Sequence, residues 1–106
     1  MGWEVGAAFS EFDVLLSPTL AQPTLRLGML DTTPSESIYE QASVYAAFTS
    51  VHNVTGMPAM LLPFGLDAEG LLFGVRFGAR LGVEGTILVL ATQLELAAPW
   101  TCPPTV

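Results

Sequence analysis

The residues able to do chemistry in this chain gather in one stretch, FTSVHNVTGMP, at residues 48–58. His52 is the chain's one histidine. As a general base it would need a hydroxyl or thiol within hydrogen-bond reach and an acid to orient its ring. Thr49 and Thr55 flank it, but neither forms a recognisable nucleophile–base pair with it. Catalysis by His52 is therefore disfavoured, and a helix residue at a pocket or in the core fits better. Asn53-Val54-Thr55 has the pattern of an N-glycosylation acceptor, which is short and common. The simpler role for Asn53 is a hydrogen bond to backbone near a helix C-terminus, with Gly56 supplying a positive φ.

Other candidates are weaker. Gly74, Gly78 and Gly82 do not form a dinucleotide fingerprint, because they lie along a strand rather than between a strand and a helix. Asp67 and Glu69 share a turn, which is a poor metal signal. Cys102 has no partner thiol, so neither a metal site nor an internal disulfide is expected. Trp3 and Trp100 are expected to pack. No cofactor and no metal are implied.

Composition sets the context. Of 106 residues, 51% are hydrophobic and 12% charged, with a net charge of −7. That is rather apolar for a small free-standing domain, which buries a modest share of its surface. A piece of something larger, or an obligate oligomer, is expected. The cations are Arg26, Arg76 and Arg80, and there is no lysine. Nucleic acid and anionic membrane surfaces are disfavoured partners, since no basic patch can neutralise phosphates. A lone cysteine and no visible signal peptide suit the cytoplasm.

The elements that must position the stretch follow from periodicity. A short helix is expected within residues 2–12, with Trp3, Ala7 and Phe9 inward. Residues 13–19, DVLLSPT, read as a buried central strand, then a long connection with two prolines. The best helix starts at an N-cap on Thr33, with Pro34 at N1 and Glu36 closing a capping box. Ile38, Ala42, Tyr45, Phe48 and His52 continue it to a stop at Gly56 and Pro58. Residues 59–66 read as a strand whose Pro63 belongs at an edge or bulge. After a turn at residues 67–70, residues 71–80 form a hairpin partner, with Leu72, Gly74, Arg76 and Gly78 opposite Phe73, Val75 and Phe77. A final helix turns Ile87, Leu90, Ala91, Leu94 and Ala98 inward and stops at Pro99. The fold class is α/β: a partial mixed sheet of about three strands with two to three helices, incomplete as it stands.

The order of these motifs resembles the C-terminal part of the amidase signature family. FDVLLSPTLAQP and then the run from FTSVHNVTGMPA to ELAAPW match the family's D-V-L-L-x-P-T strand, its N-x-T-G-x-P-A turn, its G-V-Q-like hairpin strand and its closing helix near P-W. The resemblance extends from about Phe12 to Trp100, and MGWEVGAAFS matches poorly. TLAQP and GMLD look closest to bacterial amidases acting on hydrophobic or nylon-oligomer amides, including 6-aminohexanoate-cyclic-dimer-hydrolase-like ones. The family hydrolyses amides with a Ser–cis-Ser–Lys triad in its N-terminal half. A chain without lysine carries no such triad, so no catalytic residue transfers. The hairpin strand departs from the family with Leu72-Phe73 where Pro-Val is usual and Arg76 where Gln is common.

The resemblance implies one C-terminal segment of an amidase domain over residues 1–106, inactive alone, with the catalytic half absent. It makes Thr49, His52, Asn53 and Gly56 substrate-wall candidates, of which Thr49, His52 and Gly56 share a helical face by spacing. Helix closure and core packing explain the same residues equally well. The expected partners are an amidase N-terminal half or a second copy through exposed apolar surface. A small amide is expected as substrate only in a complete enzyme. The alternative is a non-catalytic oligomerising or partner-binding module derived from the same fold.

Overall fold

The computed structural model describes residues 2–30 and 35–100. In chain order the elements are α1 (Gly2–Ala8), β1 (Val14–Pro18), α2 (Ser35–Tyr45), α3 (Ser50–Thr55), β2 (Ala59–Leu66), β3 (Leu72–Ala79) and α4 (Glu84–Ala97). The three strands form one sheet in the order β1-β3-β2. Every pairing is antiparallel, so the sheet is not mixed. The reason is local. The short turn between β2 and β3 forces antiparallel pairing, and β1 joins the free side of β3 rather than β2.

The hairpin turn is made by Asp67. Its Oδ1 accepts the backbone N–H groups of Glu69 and Leu71, each at 2.9 Å. Gly70 takes a left-handed φ of 82° there, the conformation a residue without Cβ adopts at no steric cost. The β2–β3 register shifts between Pro63 and Gly65. Pro63 cannot donate to a ladder, so the irregularity falls where the sequence placed it.

Alternation along β3 sends Val75, Phe77 and Ala79 to one face. There Leu62, Phe77, Ala79 and Ile87 form the core, joined by Val14, Met60, Leu90, Ala91, Leu94 and Trp100. Helix α4 covers this face with Ile87, Leu90, Ala91 and Leu94, as its spacing predicts. Ala98 does not join them, because it lies past the last turn as C-cap and is exposed. On the opposite face His52 of α3 lies over Gly78.

Three further expectations change. First, β1 is an edge strand, and Leu16 is 60% exposed. Its unbroken apolar run signals cover on both sides, but no strand or helix among the described residues supplies that cover for Leu16. Second, the long helix is broken at residues 46–49, giving α2 and α3. The Thr49 N–H and hydroxyl both bond the Ala46 carbonyl, at 3.1 and 2.9 Å, in place of an unbroken helical ladder. Its N-cap, Thr33 with Pro34, lies outside the described residues. Third, in α1 Trp3 is 93% exposed and Ala7 is exposed, while Phe9, just past the helix, is buried against Phe12. Among the described residues there are thus four helices rather than two or three.

Candidate functional site

The four wall candidates occupy both ends of α3. Thr49 is its half-buried N-cap, spending its hydroxyl on Ala46. Asn53 is exposed on the last turn. Gly56 ends the helix with φ 70°, and its N–H bonds the His52 carbonyl at 2.9 Å. That is a left-handed helix cap, as the sequence predicts. The backbone then runs to Pro58, whose carbonyl accepts the Ala79 N–H at 3.0 Å.

His52 is buried, with 9% of its surface exposed, and Nδ1 has no hydrogen-bond partner among the described residues. Burial lowers its pKa from the ordinary 6.5, and the positive charge of Arg76 lowers it further. Its ring is therefore neutral at neutral pH. Among the described residues no Ser or Cys is bonded to it, the partner a general base would need for a nucleophile. The sign of the pH effect follows. The unfolded chain takes up a proton at His52 near pH 6.5, and the folded chain only at lower pH. His52 thus leaves stability untouched above about pH 7 and costs stability as pH falls through the interval below 6.5. Urea midpoints at pH 7.5 and 5.5 are expected to differ more for the parent than for His52→Gln; equal differences would refute the assignment.

Arg76 is not among the wall candidates, and the structure brings it forward. It is only 4% exposed, and its Nε has no partner among the described residues. It pairs in register with Ser17 on β1 and Leu61 on β2. The hydroxyls of Ser17 and Thr19 are also buried without partners among the described residues. The signal in the sequence was a cation inside an apolar strand, between two glycines.

A separate cleft of about 420 Å³ opens where β1 ends and β3 begins, lined by Thr19, Leu20, Pro23, Asp67, Phe73 and Gly74. None of the four wall candidates lines it. Among the described residues no group of His, Cys, Asp and Glu is placed to hold a metal ion. Cys102 lies outside them.

Residues 2–88 match the family model described as Amidase. The chain belongs to the amidase family. AmiC of Mycobacterium leprae, assigned as an amidase, is 42% identical over 92 residues, which is 87% of this chain and 20% of that protein. The 6-aminohexanoate-cyclic-dimer hydrolase of Paenarthrobacter ureafaciens is 36% identical over 105 residues, covering 92% of this chain and 20% of that one. The solved structure of a 6-aminohexanoate cyclic dimer hydrolase superposes with a TM-score of 0.83 at 34% identity, over 93% of this chain and 22% of that chain. This amidase segment therefore spans about a fifth of the length of the relatives it matches. The family match begins at residue 2 and so takes in most of MGWEVGAAFS, the stretch with the weakest motif resemblance.

Proposed function

We propose that this chain is the C-terminal part of an amide-bond hydrolase, contributing core strands and one wall of the substrate cleft, and that it hydrolyses nothing alone. The observation that carries the reading is the pairing of two coverages: about nine-tenths of this chain aligns with about a fifth of each relative. The lysine-free composition fits, since the family's Ser–cis-Ser–Lys triad has no base here. In this reading Asn53 and Gly56 present the wall, Thr49 and His52 hold it, and the acyl chemistry comes from the other four-fifths of the enzyme. The substrate is a small amide, for which the 6-aminohexanoate cyclic dimer named for the Paenarthrobacter relative is the model. The compartment is the cytoplasm; no helix among the described residues is long and apolar enough to cross a membrane.

The test is hydrolysis of a cyclic amide dimer and of simple aliphatic amides. The pure chain is expected to show no turnover above background. Mixing it with the remaining four-fifths of the Paenarthrobacter hydrolase is expected to produce turnover. Turnover by the chain alone that is lost in His52→Ala would instead make it a small independent hydrolase.

One observation favours a second reading. Leu61, Phe64, Leu66, Leu72 and Phe73 around the hairpin, and Leu88, Val89 and Leu96 on α4, are all exposed. Surface of that kind suits self-association or a protein partner. A discrete oligomer that stays inactive in every mixture would favour this module reading.

A further inference from the structure

We propose that the His52 ring and the bare backbone of Gly78 are a size-matched interlock that fixes the turn at residues 53–58 on the sheet, which makes both of them positioning residues. The substrate-wall consequence rests on the function proposed above; the interlock itself does not.

Gly78 is not needed for its backbone. It lies in a regular ladder, paired with Leu15 and with Ala59, and its φ is not positive. It is needed for space. A Cβ at this position would lie 2.9 Å from Cε1 and 3.0 Å from Cδ2 of His52 and would run into Nε2. The whole edge of the imidazole occupies the volume that any other residue's side chain would claim.

The ring is one of two anchors on adjacent residues of β3. The other is the Ala79 N–H, bonded to the Pro58 carbonyl. Between them the His52 carbonyl closes the helix by accepting the Gly56 N–H. The turn is therefore bracketed: its start is pinned to Gly78 by a side chain, and its end is pinned to Ala79 by backbone. Asn53 and Gly56 project between these pins and are exposed. Ordinary van der Waals contact would need the ring to withdraw by roughly one and a half ångströms, carrying α3 with it. A displacement of about that size in a substrate-positioning element is enough to impair an enzyme.

His52 thus has a part to play that requires no proton transfer. Its neutrality serves that part, because a charged ring against Gly78 and near Arg76 would be expelled toward water.

The experiment measures amide hydrogen exchange in the full chain for the parent, Gly78→Ala, His52→Ala and the double variant. Gly78→Ala is expected to speed exchange at the Gly56 and Ala79 amides by at least about tenfold while Leu90 and Ala91 of α4 stay protected. In the His52→Ala background the same Gly78→Ala change is expected to have little effect at either amide, because the ring it collides with is gone. Unchanged exchange in Gly78→Ala, or an equal effect in both backgrounds, would overturn the interlock. If Gly78→Ala does not fold, a folded double variant supports the interlock, and an unfolded one overturns it.

In the reconstituted enzyme, Gly78→Ala should raise KM with kcat nearly unchanged, the signature of a displaced binding wall. His52→Ala should keep the parent's pH profile. Loss of a limb near neutrality would show proton transfer by His52 and overturn the positioning role. An inactive parent mixture would refute the proposed function and leave the exchange result standing.

Discussion

Phe77→Ala is expected to lower the unfolding free energy of this chain by about 3–5 kcal/mol, the range for emptying a buried aromatic site. Phe77 lies on the central strand, opposite Leu16 on one side and Met60 on the other. It packs with Leu62, Ala79 and Ile87, and these four are the buried members of the core beneath α4. No large side chain among the described residues is completely sealed from water. The core is therefore thin, and one aromatic ring is a large part of it. A small domain holds about 5–15 kcal/mol in all, so the loss should bring the chain close to unfolding at room temperature. The check is a urea titration against Leu88→Ala, whose side chain is exposed on α4 and should change stability by less than about 0.5 kcal/mol. Equal costs for the two variants would mean that α4 is not held by this core.

Arg76→Met is expected to stabilise the chain by about 1–3 kcal/mol, although it replaces a charged group on a central strand. A buried polar group without a partner carries its desolvation cost uncompensated. Arg76 is almost wholly buried, its Nε is unpaired, and burial lowers the guanidinium pKa. Methionine has nearly the same reach and fills irregular space without needing a partner. The change has a second readout. Removing the charge removes one of the two causes that depress His52, so the His52 pKa should rise toward 6.5 without reaching it, because burial remains. Ring-proton shifts of His52 followed against pH would show this. A destabilised variant with an unmoved His52 would mean that the guanidinium is satisfied where it lies.

Much of the fold was legible because it is written in short-range terms. Asp67 and Gly70 are turn residues, Pro63 marks an irregularity, and the period of two in residues 72–78 sorts β3 onto its two faces. The spacing of Ile87, Leu90, Ala91 and Leu94 gave the contact face of α4. The errors came where the answer depends on what lies beside an element. An apolar run such as Val14-Leu15-Leu16 announces cover, but it does not say whether the cover belongs to the same segment. The break at residues 46–49 was hidden because apolar spacing runs straight through it, while the Thr49 hydroxyl works locally against it.

The local geometry of the candidate site was legible to the same degree. Gly56 could be placed as a left-handed cap, since the stop signals around it are local. That the His52 ring rests on Gly78 could not be read, because a residue 26 positions away in sequence meets it only once the sheet is built. Gly78 by itself looked like one more close-packed glycine.

The Pro63 irregularity also gives the sheet a direction. On the β2 side a proline without an N–H and a register shift interrupt the row of backbone donors that an incoming strand would need. On the β1 side the outer edge has no neighbour among the described residues, and residues 14–17 retain their N–H groups. A strand added to this sheet would therefore meet an uninterrupted run of backbone N–H groups beside residues 14–17 and a run broken by a proline and a register shift beside β2, which favours extension at the β1 edge.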